Sequence, residues 1–137
     1  MSKTINNKVL SVNSKNIEII KKELISNCNV HLVEIDGKQI QSWGDYILAI
    51  QNNFKLPTPC FDSVDRYLDW MRDLDWLKKE EYILIVTNYN KFLKNDSELK
   101  KQIIADFIDI ILPFWQDEVE EVVVEGKAKL FIVYLVD

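Results

Sequence analysis

Glycine is scarce in this chain, three residues in 137, and Gly37, Gly44 and Gly126 stand far apart. No loop that cradles phosphates can be assembled from them, which excludes nucleotide-dependent enzymes built on one. Histidine is scarcer still. The lone His31 lies between Val30 and Leu32 in an alternating apolar segment, a structural setting rather than a catalytic one. Two cysteines, Cys28 and Cys60, fit no CxxC or metal-ligand spacing, and neither has a recognisable base beside it. No low-complexity tract, internal repeat or Gly/Pro-rich linker divides the chain. Its longest apolar run, Leu130 to Val136, is too short to cross a bilayer, and the opening residues lack the apolar core of a secretory signal. These absences lead us to expect one cytoplasmic, reduced globular unit that needs neither cofactor nor metal and does not engage a membrane.

What the chain has is acid. The formal net charge is −5, with a pI near 4.9. That balance disfavours direct contact with nucleic-acid backbones or anionic lipid, and it steers encounters toward a basic partner.

Helical and strand periods alternate along the sequence. "KVLS" reads as a short strand, followed by a helix capped by Asn13 or Ser14 with Ile17, Ile20 and Leu24 on one stripe. "VHLVEIDGKQI" reads as a strand ending in a turn at Asp36-Gly37. Ser42 and Asp45 resemble a capping box ahead of a stripe of Trp43, Tyr46, Ile47, Ile50 and Phe54, which stops before Leu56-Pro57. "YILIVTNY" and "KLFIVYLV" are nearly continuous apolar runs, suited to strands covered on both faces. Between them, Asp96 or Ser97 caps a helix carrying Leu99, Ile103, Phe107, Ile110 and Phe114, with a break or kink expected near Pro113. Phe114 and Trp115 read as core. The next segment, "QDEVEEVVVEGKAK", admits a helix end, a short strand turning at Gly126, or a loop. Strands and helices in this order predict an α/β fold with a small, mainly parallel sheet.

One stretch carries the functional signal. "FDSVDRYLDWMRDLDW" holds five aspartates in sixteen residues inside a helical pattern, although aspartate is a poor helix former. At 100° per residue, Asp62, Asp65, Asp69 and Asp73 span an arc of roughly 80°. Val64, Tyr67, Leu68, Met71 and Leu74 fall on the opposite side. Asp62 fits an N-cap, and Asp65 fits a first turn where the helix dipole favours a carboxylate. Asp69 and Asp73 gain nothing from the dipole, and the like-charge i,i+4 spacings cost about 0.2–0.5 kcal/mol each. Arg66 and Arg72 relieve Asp69 only in part. Such a ridge suits a cationic partner.

The segment "LPTPCFDSVDRYLDWMRDLDWL" followed by "YILIVTNYNKFL" resembles the barstar family of ribonuclease inhibitors. Leu56-Pro57, Asp65, Asp69 and the run Arg72 to Leu77 match its loop, its Asp-x-x-x-Asp helix and the tail of that helix. "VHLVEIDGKQI", "FIDIILPFW" and "KLFIVYLV" resemble its first core strand, last helix and last strand. The resemblance implies a barstar-like domain over residues 30–137, with a three-stranded, mainly parallel sheet. Residues 1–29 are then expected to be an N-terminal strand and helix extension packed on it. It also implies a non-enzymatic immunity protein, monomeric in a 1:1 complex, that plugs the active site of a basic ribonuclease, a secreted or contact-delivered toxin. Carboxylates take the place of RNA phosphates, with Asp69 seated deepest, Asp65 beside it, and Asp109 as the match for a further carboxylate on the last helix. The partner-binding set is then Phe61, Asp62, Asp65, Leu68, Asp69, Arg72, Asp73 and Asp109. The family's aromatic-aromatic-glycine loop is here Pro59-Cys60-Phe61, a common tryptophan is Leu68, and a tail glycine is Asp73. These rim positions tell one ribonuclease from another.

Two other classes compete with that reading. Asp65 and Asp69 are plausible ligands for Mg²⁺ in an enzyme, which added divalent metal would reveal. The chain also fits a general acidic interaction module for some other basic partner, with the run Asp117 to Glu125 as a second acidic surface or a solvated loop.

Overall fold

Tyr82 to Val86 are all buried, and their side chains divide between two cores. Tyr82, Leu84 and Val86 enter the larger, Ile83 and Ile85 the smaller. The period-two alternation of a strand makes this division, so apolar layers must lie on both of its faces. The computed structural model describes residues 5–137. It contains β1 (Lys8–Val12), α1 (Ser14–Ile25), β2 (Val30–Asp36), α2 (Trp43–Phe54), α3 (Val64–Met71), β3 (Glu81–Thr87), α4 (Ser97–Asp106), α5 (Val119–Val122) and β4 (Leu130–Val136). The strands form one sheet in the order β1-β4-β3-β2, parallel throughout. The three expected core strands are thus joined by β1, which pairs along β4 from Lys8 opposite Ile132 to Val12 opposite Val136. The first four residues of the N-terminal extension lie outside the described part.

On one face of the sheet, Ile17, Ile20 and Leu24 of α1 meet Val30, Ile83, Ile85 and Ile132. The other face carries the main core, where α2 inserts Tyr46, Ile47, Ile50 and Phe54, α3 inserts Tyr67 and Met71, and the last helix inserts Ile103 and Phe107. Side-chain caps open the helices: Asn13 accepts from the Asn16 amide, Ser42 from that of Asp45, and Asp96 from that of Leu99. Lys55 closes α2 in the left-handed region, just ahead of Leu56-Pro57.

The acidic helix is shorter than its pattern implies. Ser63, not Asp62, is the N-cap, its hydroxyl accepting from the Arg66 amide at 3.1 Å. Val64 becomes the first helical residue and is 47% exposed rather than in the core. The helix stops after Met71, and Leu74 adopts a left-handed conformation with φ of 55°. That conformation costs a non-glycine residue about 1–2 kcal/mol. Full burial of the Leu74 side chain stabilises by about 1.5–3 kcal/mol and offsets it. The apolar stripe therefore runs on into Leu74 while the helix does not, and Asp73 lies in the turn beyond the helix.

The last helix also departs from its pattern. No break occurs at Pro113. Instead α4 continues through two π turns, Phe107–Ile111 and Phe114–Glu118, one on each side of the proline, and into α5. The Leu112 amide reaches back five residues to the Phe107 carbonyl. A π turn holds one more residue than an α turn and shifts the stripe by one position. Ile111 is consequently buried where the 3.6-residue period expects Ile110. Of the alternatives for the segment after Trp115, the helix end is the one observed.

Candidate functional site

The acidic helix is backed by a rigid floor. Tyr67 points inward from α3, fully buried, and its hydroxyl lies 2.5 Å from that of Tyr46 on α2. Burial pushes both phenols well above their ordinary pKa, so the pair is neutral. Trp43 packs edge-on against Tyr67 with ring centroids 5.6 Å apart. At the far end of α3, the Met71 carbonyl is one of those that a helix C-terminus leaves without an internal partner. The buried Trp115 indole N–H donates to it at 2.9 Å, tying α3 to the last helix.

The loop before α3 is fastened by side-chain hydrogen bonds. Gln51 Oε1 accepts from the Cys60 amide at 2.5 Å, Thr58 Oγ1 from the Trp70 indole at 2.9 Å, and the Pro59 carbonyl from Arg66 Nη1 at 3.0 Å. The Trp43 indole donates to the Phe61 carbonyl at 2.8 Å. A methyl group on Gly44 would sit 3.0 Å from the Phe61 ring, so glycine at that position lets the ring approach the start of α2 closely. Phe61 remains 62% exposed on its outer side. Beside it, Val64 and the half-buried Leu68 extend an apolar rim along the acidic face.

Asp65 and Asp69 point outward from successive turns of α3. Asp69 Oδ1 accepts from Arg72 Nη2 at 3.0 Å, while the Arg72 Nε donates to the Leu68 carbonyl. The Asp69 side chain is nevertheless 74% exposed, which leaves most of its acceptor surface open. Arg66 does not serve Asp69; it pairs with Asp62 at 3.6 Å. Asp73 accepts from the Asp75 amide at 3.2 Å, which shapes the turn after the helix. Phe61, Asp62, Asp65, Leu68, Asp69, Arg72 and Asp73 therefore form one continuous surface. Asp109 is separate in sequence but exposed on the π turn against which α3 packs.

Several groups in this region escape a sequence reading. Val64 surfaces because the helix starts one residue late, a shift that Ser63 as cap would have signalled. Asp106, one turn before Asp109, is the buried carboxylate of the described residues, held by Gln102 Nε2 at 2.9 Å and close enough to influence both buried tyrosines. Cys60 is buried, and burial raises its thiol pKa, away from a reactive thiolate. The His31 Nε2–H donates to the Asn53 carbonyl at 2.8 Å, and burial lowers its pKa, consistent with a structural role. Among the described residues, no three His, Cys, Asp or Glu side chains gather where a metal ion could be held.

A small parallel α/β domain that displays a short acidic helix between a pinned loop and a tryptophan-tied turn is the class this architecture defines. The family model described as Barstar (barnase inhibitor) matches residues 30–127, and the chain belongs to that family. Its members are inhibitors rather than catalysts, and membership implies a protein partner. No curated protein matches the chain.

Proposed function

We propose that this protein is a cytoplasmic immunity protein that binds a basic ribonuclease toxin one to one and occludes its active site with α3 and the loop before it. The observation that carries the proposal is the pair Asp65 and Asp69, exposed one turn apart on a helix whose inner face is locked by the Tyr46–Tyr67 contact and the Trp115–Met71 hydrogen bond. In this reading the carboxylates occupy the cationic pocket that otherwise receives RNA phosphates. Asp69 is central, Asp65 sits beside it, and Asp62, Asp73 and Asp109 enlarge the negative field. Phe61 and Leu68 press on the apolar rim of the nuclease. Arg72 holds Asp69 in one orientation before the complex forms, so less rotamer entropy is lost on binding.

Co-expression with a candidate ribonuclease toxin should restore growth, and the purified protein should block RNA cleavage by it or by barnase. Asp69→Ala should weaken the complex far more than Asp117→Ala, because Asp117 lies away from α3 beside residues preceding β1. Equal affinities for the two variants would remove Asp69 from the site.

A further inference from the structure

β2 forms one edge of the sheet and pairs with β3 alone. The Glu81 amide donates to the Asn29 carbonyl at 3.1 Å, and Thr87 Oγ1 to that of Ile35. Odd-numbered residues of β2 therefore turn their backbone groups to β3. Leu32 and Glu34 turn theirs outward, where no described group bonds to them. Proteins commonly guard such an edge with lysine, proline or a bulge. β2 has none of these in its seven residues, and its register with β3 is unbroken. A groove of about 330 Å³ runs beside the edge, walled by Asp45, Leu48, Ala49 and Asn52 of α2. Leu48, in the middle of that stripe, is 55% exposed. The two ends of the groove differ in charge. Asp36 and Asp45 lie toward the carboxyl end of β2, and neither is in an ion pair among the described residues, whereas Glu34 is paired with Lys21 at 2.9 Å. At the other end, the Asn53 carbonyl holds His31. Lys55 and Lys79 are near enough to His31 to add to burial in lowering its pKa.

We propose that β2 and this flank of α2 pair with the same elements of a second copy of this chain, about a two-fold axis passing near Val33 and Leu48. Antiparallel pairing reverses both elements. Asp45 of one copy then meets Asn52 of the other, with Lys55 close behind, and the two Leu48 side chains meet at the axis. Leu32 and Glu34, on either side of Val33, exchange backbone hydrogen bonds with Glu34 and Leu32 of the second copy. A basic segment from another protein would suit Asp36 and Asp45 but not the Lys55 end, while a second copy answers both ends. Two-fold pairing uses one patch twice and so closes this edge. The groove shares no residue with the acidic surface of α3, so dimerisation does not depend on what that surface binds.

Sedimentation velocity on the full chain, from about 1 µM to about 1 mM, should show monomer passing to dimer, the range in which interfaces of modest strength dissociate. Leu48→Glu places two carboxylates at the axis and should raise the dissociation constant roughly tenfold. Asn52→Asp should also weaken the dimer, by setting a second carboxylate against Asp45. Adding Asp45→Asn to it exchanges the pair and should restore the affinity to within about threefold of wild type. A variant that merely misfolds gives no such rescue. The amides of Leu32 and Glu34 should exchange more slowly as the protein concentration rises. A chain that stays monomeric at about 1 mM overturns the pairing. So does a dimer that Leu48→Glu leaves unchanged, or one that the exchanged pair fails to restore.

Discussion

The buried phenols of Tyr46 and Tyr67 hold the acidic helix without carrying charge themselves. Each has its pKa raised above the ordinary 10.0, first of all by burial. The folded protein therefore keeps both protons at pH values where the unfolded chain has released them. Their contribution is complete below pH 10 and is lost as pH rises above it. The tyrosine contribution to stability should fall beyond pH 10, by up to about 1.4 kcal/mol per pH unit for each tyrosine held neutral. Urea unfolding at several alkaline pH values checks this, and the doubly substituted Tyr46→Phe, Tyr67→Phe protein should show a shallower alkaline limb. An unchanged limb would mean that other groups dominate. Removing one hydroxyl alone leaves its buried partner unsatisfied, at a cost of about 1–3 kcal/mol, so the double variant is the cleaner instrument.

At the scale of elements, the start of α3 separates two aspartate roles that sequence alone confuses. Ser63→Ala should cost about 1 kcal/mol in unfolding free energy, the usual loss for a helix cap. Asp62→Ala should change stability by no more than about 0.5 kcal/mol, because its pair with Arg66 is exposed. Equal losses would restore Asp62 as the cap. Much of the fold was legible in the same way. Continuous apolar runs identified β3 and β4 because both sheet faces are covered, and Asn13, Ser42 and Asp96 announced three helix starts. The Asp65 and Asp69 positions followed from helical spacing. Asp73 did not, since its placement assumed a helix running on past Met71, whereas α3 stops there with its last carbonyl held by Trp115, 44 positions away in the chain. The π turns around Pro113 were illegible for a related reason. A 3.6-residue period cannot register an inserted residue that only tertiary packing makes worthwhile. The segment from Gln116 to Lys129 admitted helix end, strand or loop because its valines and glutamates carry no clear period, and the helix end at Val122 is what forms.

At the scale of the whole molecule, the net charge of −5 acts over a longer range than any contact. Association with a cationic nuclease should slow as salt rises, since the screening length falls from about 10 Å at 0.1 M to about 3 Å at 1 M. Dissociation should respond less, because contacts already made are shielded from solvent. Stopped-flow mixing across that salt range measures both, and an association rate indifferent to salt would argue against capture by the acidic face. The topology sets a different kind of limit. β4 lies between β3 and β1, yet its residues follow theirs in the chain, and Lys8 must wait for Ile132. Parallel pairings over such separations close slowly. A ribosome making this protein releases the acidic helix well before the strand that completes the sheet beneath it. A folded, supported acidic face is then available only after synthesis of β4, not with synthesis of α3.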